Sequence, residues 1–187
     1  KKFKGIDKKN KKKKINILYL DHSAKHGINK LQVVKDLKMI KKIKNLKITI
    51  RPNTSIEFVK NKIDLNIFFK NKLDDFISYE TTSKLIDKND IIINPISSVI
   101  IDAFFKGKIV IHPKHYIPKE KMIWQRYKSC FEVNSANQII KIITQYTNNK
   151  LKTKKYSNNC KRMLKYLVGL PNYENKLEKI LKEILKK

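Results

Sequence analysis

Arginine is nearly absent from this chain. Only Arg51, Arg126 and Arg162 stand among 44 basic residues, against 16 Asp and Glu. Readers of bases and phosphate backbones lean on the planar guanidinium fork, so the formal charge of +28 does not by itself make a nucleic-acid module. Lys, Ile and Asn make up nearly half of the 187 residues, the bias an AT-rich coding sequence produces without selection for a basic surface. The lysines form no stripe and are scattered over what read as solvent faces, apart from the run Lys8–Lys14.

Other absences narrow the class further. Two cysteines thirty positions apart, Cys130 and Cys160, give neither a disulfide framework nor a zinc site, so a reducing, cytoplasmic setting is expected. No apolar run approaches the roughly 18 residues that span a membrane. No secretory signal stands at the front, which opens Lys1-Lys2-Phe3-Lys4 without Met, so the chain reads as a piece of something longer. With four glycines there is no G-x-G-x-x-G, no G-x-x-x-x-G-K-[ST] and no G-x-S-x-G. Dinucleotide, P-loop and hydrolase-elbow chemistries lose support accordingly.

What is present is a series of short apolar segments. Residues 1–14 are basic and aperiodic and read as a linker or tail; residues 15–187 read as one α/β domain with C-terminal helices. Ile15–Leu20 predicts a buried strand, followed by the polar loop Asp21–Asn29. Leu31, Val34, Leu37, Ile40 and Ile43 put a helix over Leu31–Lys44. Leu46–Ile50 is a second strand closed by Arg51-Pro52-Asn53-Thr54. Residues 56–75 are ambiguous between helix and irregular chain; Phe76–Ser78 suits a short strand and Thr82–Asp87 a short helix. Asp90–Ile93 is the clearest strand. Ser97-Ser98 then caps a helix over Val99–Lys106, ended by Gly107, and Lys108–Ile111 is the next strand.

A loop with His112, Pro113, His115 and Pro118 leads to a helix around Trp124 and a strand at Cys130–Val133. Asn134 or Ser135 caps a helix over Ile139–Tyr146. Leu177, Ile180, Leu181, Ile184 and Leu185 mark a final amphipathic helix. Trp124, Tyr127 and Phe131 read as core. Wholly apolar strands alternating with helices predict a doubly wound, mainly parallel, Rossmann-like sheet of five or six β-α units, with helices on both faces. Its ligand site belongs at the carboxyl ends of the strands.

The loops at those ends carry chemistry suited to a phosphorylated ligand. Ser97 and Ser98 offer hydroxyls beside the N–H groups of a helix start, an arrangement that either holds an anion or simply caps the helix. Asp102, one turn on, could accept from ribose hydroxyls or serve as a helix-dipole carboxylate. Arg51 could clamp a diphosphate, and Asn53 supplies an amide. In the first loop Lys25, His26 and the Gly27 backbone could meet phosphate oxygens. His22 and His26 are candidates for catalytic groups; with Asp21 they would be a metal site only if a third ligand arrived from elsewhere, and no metal or other cofactor is expected.

The segment Asn89–Ile111, with Asp90-Ile91-Ile92-Ile93, Ser97-Ser98-Val99, Asp102-Ala103 and Gly107-Lys108 in order, resembles the "aDvvIt-x-x-SSv-x-x-(D/E)a-x-x-x-GKpvi" stretch of nucleotide-sugar glycosyltransferases of the GT-B fold. Capsule and surface-polysaccharide enzymes, including CDP-glycerol glycerophosphotransferase-like proteins, are the nearest version. Ile15–Leu20 is similar to the opening strand of the C-terminal, donor-binding half. Ile48–Asn53 is similar to the strand ending in that family's K-P-H-P turn, with Arg51 and Asn53 in the places of Lys and His. Tyr127–Val133 and Asn134–Ile143 resemble its last strand and helix. Lys108 matches the family's lysine, and Ile109 replaces its usual proline.

The resemblance covers about Ile15 to Tyr146. It implies that Ser97 and Ser98 hold donor phosphate and that Asp102 lies near the ribose. The donor would be a nucleotide-activated sugar or CDP-alditol, and the acceptor a glycan or lipid-linked glycan. An N-terminal half would supply the acceptor site and the catalytic base. Expected with it are surface-polysaccharide synthesis and a cytoplasmic location, at the inner face of the membrane; the basic surface, independently of the resemblance, would be drawn to anionic phospholipid headgroups in peripheral contact or to phosphorylated substrates. An epimerase on the same fold and a basic nucleic-acid-binding module are the alternatives; nucleic acid is not the expected partner.

Overall fold

Five strands form one sheet, all parallel, in a computed structural model that describes residues 14–22, 26–53, 67–68, 70–117 and 122–168. They are β1 (Ile15–Leu20), β2 (Leu46–Arg51), β3 (Ile91–Ile93), β4 (Ile109–Pro113) and β5 (Phe131–Val133), in the order β2-β1-β3-β4-β5. The residues of β3 and β4 are buried throughout, and β1 is buried except at Asn16. Their Ile, Leu and Val side chains are branched and cannot face water on either side. A sheet of this kind is stable only when both faces are covered, and each fully buried side chain contributes about 1.5–3 kcal/mol.

The helices are α1 (Lys30–Lys41), α2 (Thr82–Lys88), α3 (Ile100–Phe105), α4 (Ile123–Arg126), α5 (Ala136–Thr147) and α6 (Lys154–Val168). α1 packs with α5, while α3 packs with α2 and α6, so the two groups cover opposite faces. The parallel register sets Tyr19 beside both Ile50 and Ile93. Phe76–Ser78 contributes a single parallel bridge, Ile77 to Ile50, outside β2 and no full strand. Counting that bridge, the order across the sheet becomes the Rossmann order 3-2-1-4-5-6.

Several boundaries shift for local reasons. The helix expected from Leu31 begins at Lys30, because the Asn29 side chain accepts from Gln32 N–H and caps it. The helix expected over Ile139–Tyr146 runs Ala136–Thr147, capped by the Ser135 hydroxyl. Strand β4 continues through His112 and Pro113, which the sequence placed in a loop, because β5 pairs with that stretch.

Helix α6 is a C-terminal helix whose bounds the sequence pattern does not mark. It buries Tyr156, Cys160, Met163 and Leu164, and the Tyr156 hydroxyl donates to the Lys108 carbonyl (2.8 Å) and accepts from Val110 N–H (3.0 Å). That N–H lies one residue before β5 pairing begins, so the tyrosine satisfies a donor that no strand reaches. The expected amphipathic helix at 177–185, most of 56–75 and the tail 1–13 lie outside the described residues. No helix among the described residues is long and apolar enough to cross a membrane.

Candidate functional site

The chain leaves β1 in one direction towards β2 and returns to β3 on the other side, so the topological switch point lies between β1 and β3. A crevice opens there because the two connections turn away from each other. The first polar residues after these strands meet in it. His22 Nε2 lies 3.3 Å from Asn94 Oδ1.

Asn94 is the hub of this edge and is fully buried. Its Nδ2 donates to the Ser97 carbonyl (2.9 Å) and its Oδ1 accepts from Ser97 N–H (3.0 Å), closing the turn Asn94-Pro95-Ile96-Ser97. Those bonds fix the amide orientation. Oδ1 is an acceptor, so His22 donates through Nε2–H and keeps the lone pair on Nδ1. Burial lowers the His22 pKa to about 4, against the opposing hydrogen bond from Asn94 and with smaller help from the positive charge of Lys30.

A second histidine braces the same turn from β4. His112 is buried, accepts from Trp124 Nε1–H through Nδ1 (3.3 Å), and lies against the Asn94 and Pro95 backbone. Burial lowers its pKa as well. Both rings are therefore neutral near pH 7.

The two serines have separate situations. Ser97 is half-buried, and its hydroxyl accepts from Val99 N–H (3.4 Å). The carbonyls of Ser97 and Ser98 accept from Ile100 and Ile101, so most donors at the start of α3 are used within the turn. Ser98 is exposed, and its hydroxyl makes no hydrogen bond among the described residues. Ser97 builds the turn; Ser98 is presented by it.

Asp102 is turned towards α2. Its Oδ2 accepts from Ser83 Oγ (3.1 Å) and pairs with Lys106 Nζ (2.9 Å), which also reaches Asp87 (2.9 Å). Arg51 ends β2 with Nη1 donating to the Pro52 carbonyl (2.8 Å), so the guanidinium is folded back over its own turn. Burial lowers its pKa and the neighbouring Tyr79 raises it; an arginine so placed stays cationic. Asn53 is half-buried beside it. Lys25 lies outside the described residues, and His26 is exposed at the tip of its loop.

Three further side chains have roles that the sequence does not show. Tyr79, 60% exposed, stands next to Arg51 at the carboxyl edge; nothing in its tripeptide marks it. The turn Asn94-Pro95-Ile96 is read from the sequence, Asn before Pro at a strand end being a strong turn signal, but the hydrogen bonds of the Asn94 side chain are not. Asp36 is a fully buried carboxylate on α1 that binds Gln32 Nε2 (2.6 Å), His115 Nε2 (2.6 Å) and Tyr116 Oη (3.1 Å), locking α1 to the segment after β4. His115 is therefore committed to packing.

Asp21 is likewise occupied: Lys30 Nζ lies 2.5 Å away and Tyr19 donates at 3.3 Å. Among the described residues no cluster of three or more His, Cys, Asp or Glu side chains converges on a metal-sized space.

Neither a protein-family model nor a curated protein sequence matches this chain. Solved structures share its fold at low identity. A glycosyltransferase from Rickettsia africae ESF-5 is 19% identical with a TM-score of 0.56, over 92% of this chain and 48% of its own. The wall teichoic acid polymerase TagF is 15% identical with a TM-score of 0.55, over 94% of this chain and 46% of its own. The C-terminal CMP-Kdo binding domain of WaaA from Acinetobacter baumannii is 8% identical with a TM-score of 0.56, over 82% of this chain and 91% of that domain. This chain thus spans about half of the two longer proteins and nearly all of the isolated C-terminal domain. Its fold is that of the C-terminal half of a GT-B glycosyltransferase.

Proposed function

We propose that this chain is the donor-binding part of a glycosyltransferase that uses a nucleotide-activated sugar, or a CDP-alditol, to build a surface polysaccharide. The observation that carries the reading is the turn at Asn94–Ser98. A buried amide, braced by two neutral histidines, presents the Ser98 hydroxyl at the switch point of the sheet. Preorganised donors of this kind stabilise charge as it develops on a departing nucleotide phosphate, and they need no reorganisation at the moment of transfer.

In this reading Ser98 and Arg51 contact donor phosphate, and Lys25 joins them from the first loop. Arg51 reaches it by exchanging the Pro52 carbonyl for a phosphate oxygen. Tyr79 and Asn53 flank the nucleoside, and Asp102 accepts from the ribose beside Ser83 and Lys106. His22 acts as a positioning residue. With a pKa near 4 it is a poor general base at neutral pH, whereas its Nε2–H holds Asn94 in place. The acceptor, glycan or lipid-linked, and the catalytic base belong to a partner half.

The test is calorimetry with UDP, CDP, GDP and CMP on the intact protein, followed by Ser98→Ala and Arg51→Ala. Each variant is expected to weaken the preferred nucleotide about tenfold, the worth of one charge-assisted hydrogen bond. Unchanged affinity in both would overturn the phosphate site. Sugar conversion that needs no acceptor would replace the transferase by an epimerase.

A further inference from the structure

The lysines of this protein are not equivalent. Between residues 70 and 108 six lysines accompany six carboxylates, and ion pairs join them: Lys88 to Glu80, and Lys106 to both Asp87 and Asp102. From residue 133 to residue 173 there are eight basic residues and no acid. Most of these sit on or just before α6, whose opposite side is packed into the core through Tyr156, Cys160, Met163 and Leu164. Among the described residues the outward side therefore carries an excess of positive charge. Among the described residues no carboxylate pairs with Lys152, Lys154, Lys155, Arg162 or Lys165.

The surface is also shaped. An open groove of about 820 Å³ is lined by Lys152, Lys154, Lys155 and Arg162 together with Thr153, Asn158 and Asn159. Four cations, two amides and a hydroxyl can meet phosphate oxygens, one of the amides (Asn159) also donating to the Lys128 carbonyl, while the wall between these polar tips is largely apolar, as the carbon stems of lysines make it. At the far end of the helix Tyr166 is 60% exposed and rests on Tyr127, an aromatic of the amphipathic kind that settles at a headgroup boundary. Tyr156 ties the start of α6 to Lys108 and Val110 at the amino end of β4, so the groove lies at the end of the sheet opposite Asn94 and Ser98.

We infer that the outward face of α6 is a docking surface for a bilayer rich in anionic phospholipid. Lysine suits such a partner because a fluid layer of headgroups asks for charge and not for a planar fork, whereas nucleic acid would favour arginine and stacking aromatics. Docking at this end leaves the carboxyl edge of the sheet uncovered. The inference is independent of the donor reading, because it uses none of the residues assigned there.

Full-length protein is co-sedimented with phosphatidylcholine vesicles, with and without phosphatidylglycerol, at physiological ionic strength. Binding is expected only with the anionic lipid. The variant K154Q/K155Q/R162Q is expected to lower the partition coefficient about a hundredfold, from roughly fivefold per cation. K35Q/K42Q/K44Q, with the same change in charge around the end of α1, is expected to lower it less than fivefold. Equal losses in the two variants would show that net charge alone acts and would overturn the inference. So would absence of vesicle binding, including the case where the α6 triple instead abolishes capture of a single-stranded oligonucleotide. Circular dichroism confirms folding, and nucleotide calorimetry, expected to be unchanged in both triples, separates this failure from failure of the donor site.

Discussion

Acid should weaken this protein through His22 in a defined window. In the folded chain the ring is half-buried, donates to Asn94 and has a pKa of about 4; in the unfolded chain it takes its ordinary value of 6.5. Between those values the unfolded state binds the extra proton and the folded state does not. Stability contributed by the neutral ring is therefore present above pH 6.5 and declines as pH falls towards 4. At 1.36 kcal/mol per unit, the residue's share of the loss is about 3 kcal/mol, an upper figure because the ring retains some solvent. His112 acts in the same direction, since its pKa is also lowered by burial.

The assay is a ring-proton NMR titration of the four histidines beside urea denaturation at successive pH values. His22 should stay neutral through pH 5 with the proton on Nε2. His22→Gln should flatten the stability curve between pH 6.5 and 4 while leaving the His112 contribution. A His22 that titrates between 6 and 7, or a variant whose curve keeps the full slope of the parent, would refute the burial argument and with it the positioning role of the ring.

Other perturbations follow from the same geometry. Asn94→Ala removes the acceptor of both Ser97 N–H and His22 and should cost about 1–3 kcal/mol in urea melts. It should weaken nucleotide binding more than Ser98→Ala does, because the turn itself is lost. Tyr156→Phe strands Val110 N–H and should cost about 1–3 kcal/mol by the same measurement. Asp36→Ala leaves His115, Tyr116 and Gln32 facing a hole and should cost about 3 kcal/mol or more, read as a fall in midpoint. Cys130 and Cys160 are buried, with thiol pKa values pushed up by burial, that of Cys160 to about 12. Neither should react with a thiol reagent at pH 8 until the protein is unfolded.

The parallel sheet was legible because its strands are uninterrupted runs such as Ile91-Ile92-Ile93, and because Gly107, at a φ of 65°, stops a helix where only glycine is unstrained. The bounds of helix α6 were not legible, although Tyr156, Cys160, Met163, Leu164 and Leu167 recur at helical spacing. Its apolar face uses Cys, Met and Tyr between lysines and asparagines, so it lacks the aliphatic signal that marked α1. Phe76–Ser78 reads as a strand, but only Ile77 bridges to β2, since the chain enters it from the tight turn Asp74–Phe76. At the site, Ser97 and Ser98 could be named from the sequence, yet not their division of labour. That division depends on Asn94, whose reach to His22 spans 72 residues of chain and exists only once β1 and β3 are neighbours.

The charge of this chain carries two kinds of information that composition merges. Where lysines alternate with carboxylates, as around Lys88 and Lys106, each cation is partly cancelled within a few ångströms and the surface is simply solvated. Where carboxylates stop, as from residue 133 to residue 173, the same residue type builds a field that extends about a Debye length, near 8 Å at physiological salt. A codon bias can raise the number of lysines everywhere, but it does not remove acids from one helix face while leaving them on another. The carboxyl edge follows the opposite logic. His22 and His112 are held neutral, Arg51 is folded onto its own turn, and the Ser98 hydroxyl is presented by a turn built on a buried amide. A site that must release a charged leaving group gains from few, well-fixed donors, because dense charge would hold the product and slow its departure. On the two readings proposed above, the few fixed donors described at one end of the sheet and the lysines crowded on α6 at the other answer two ligands, one held for a turnover and one held as a surface.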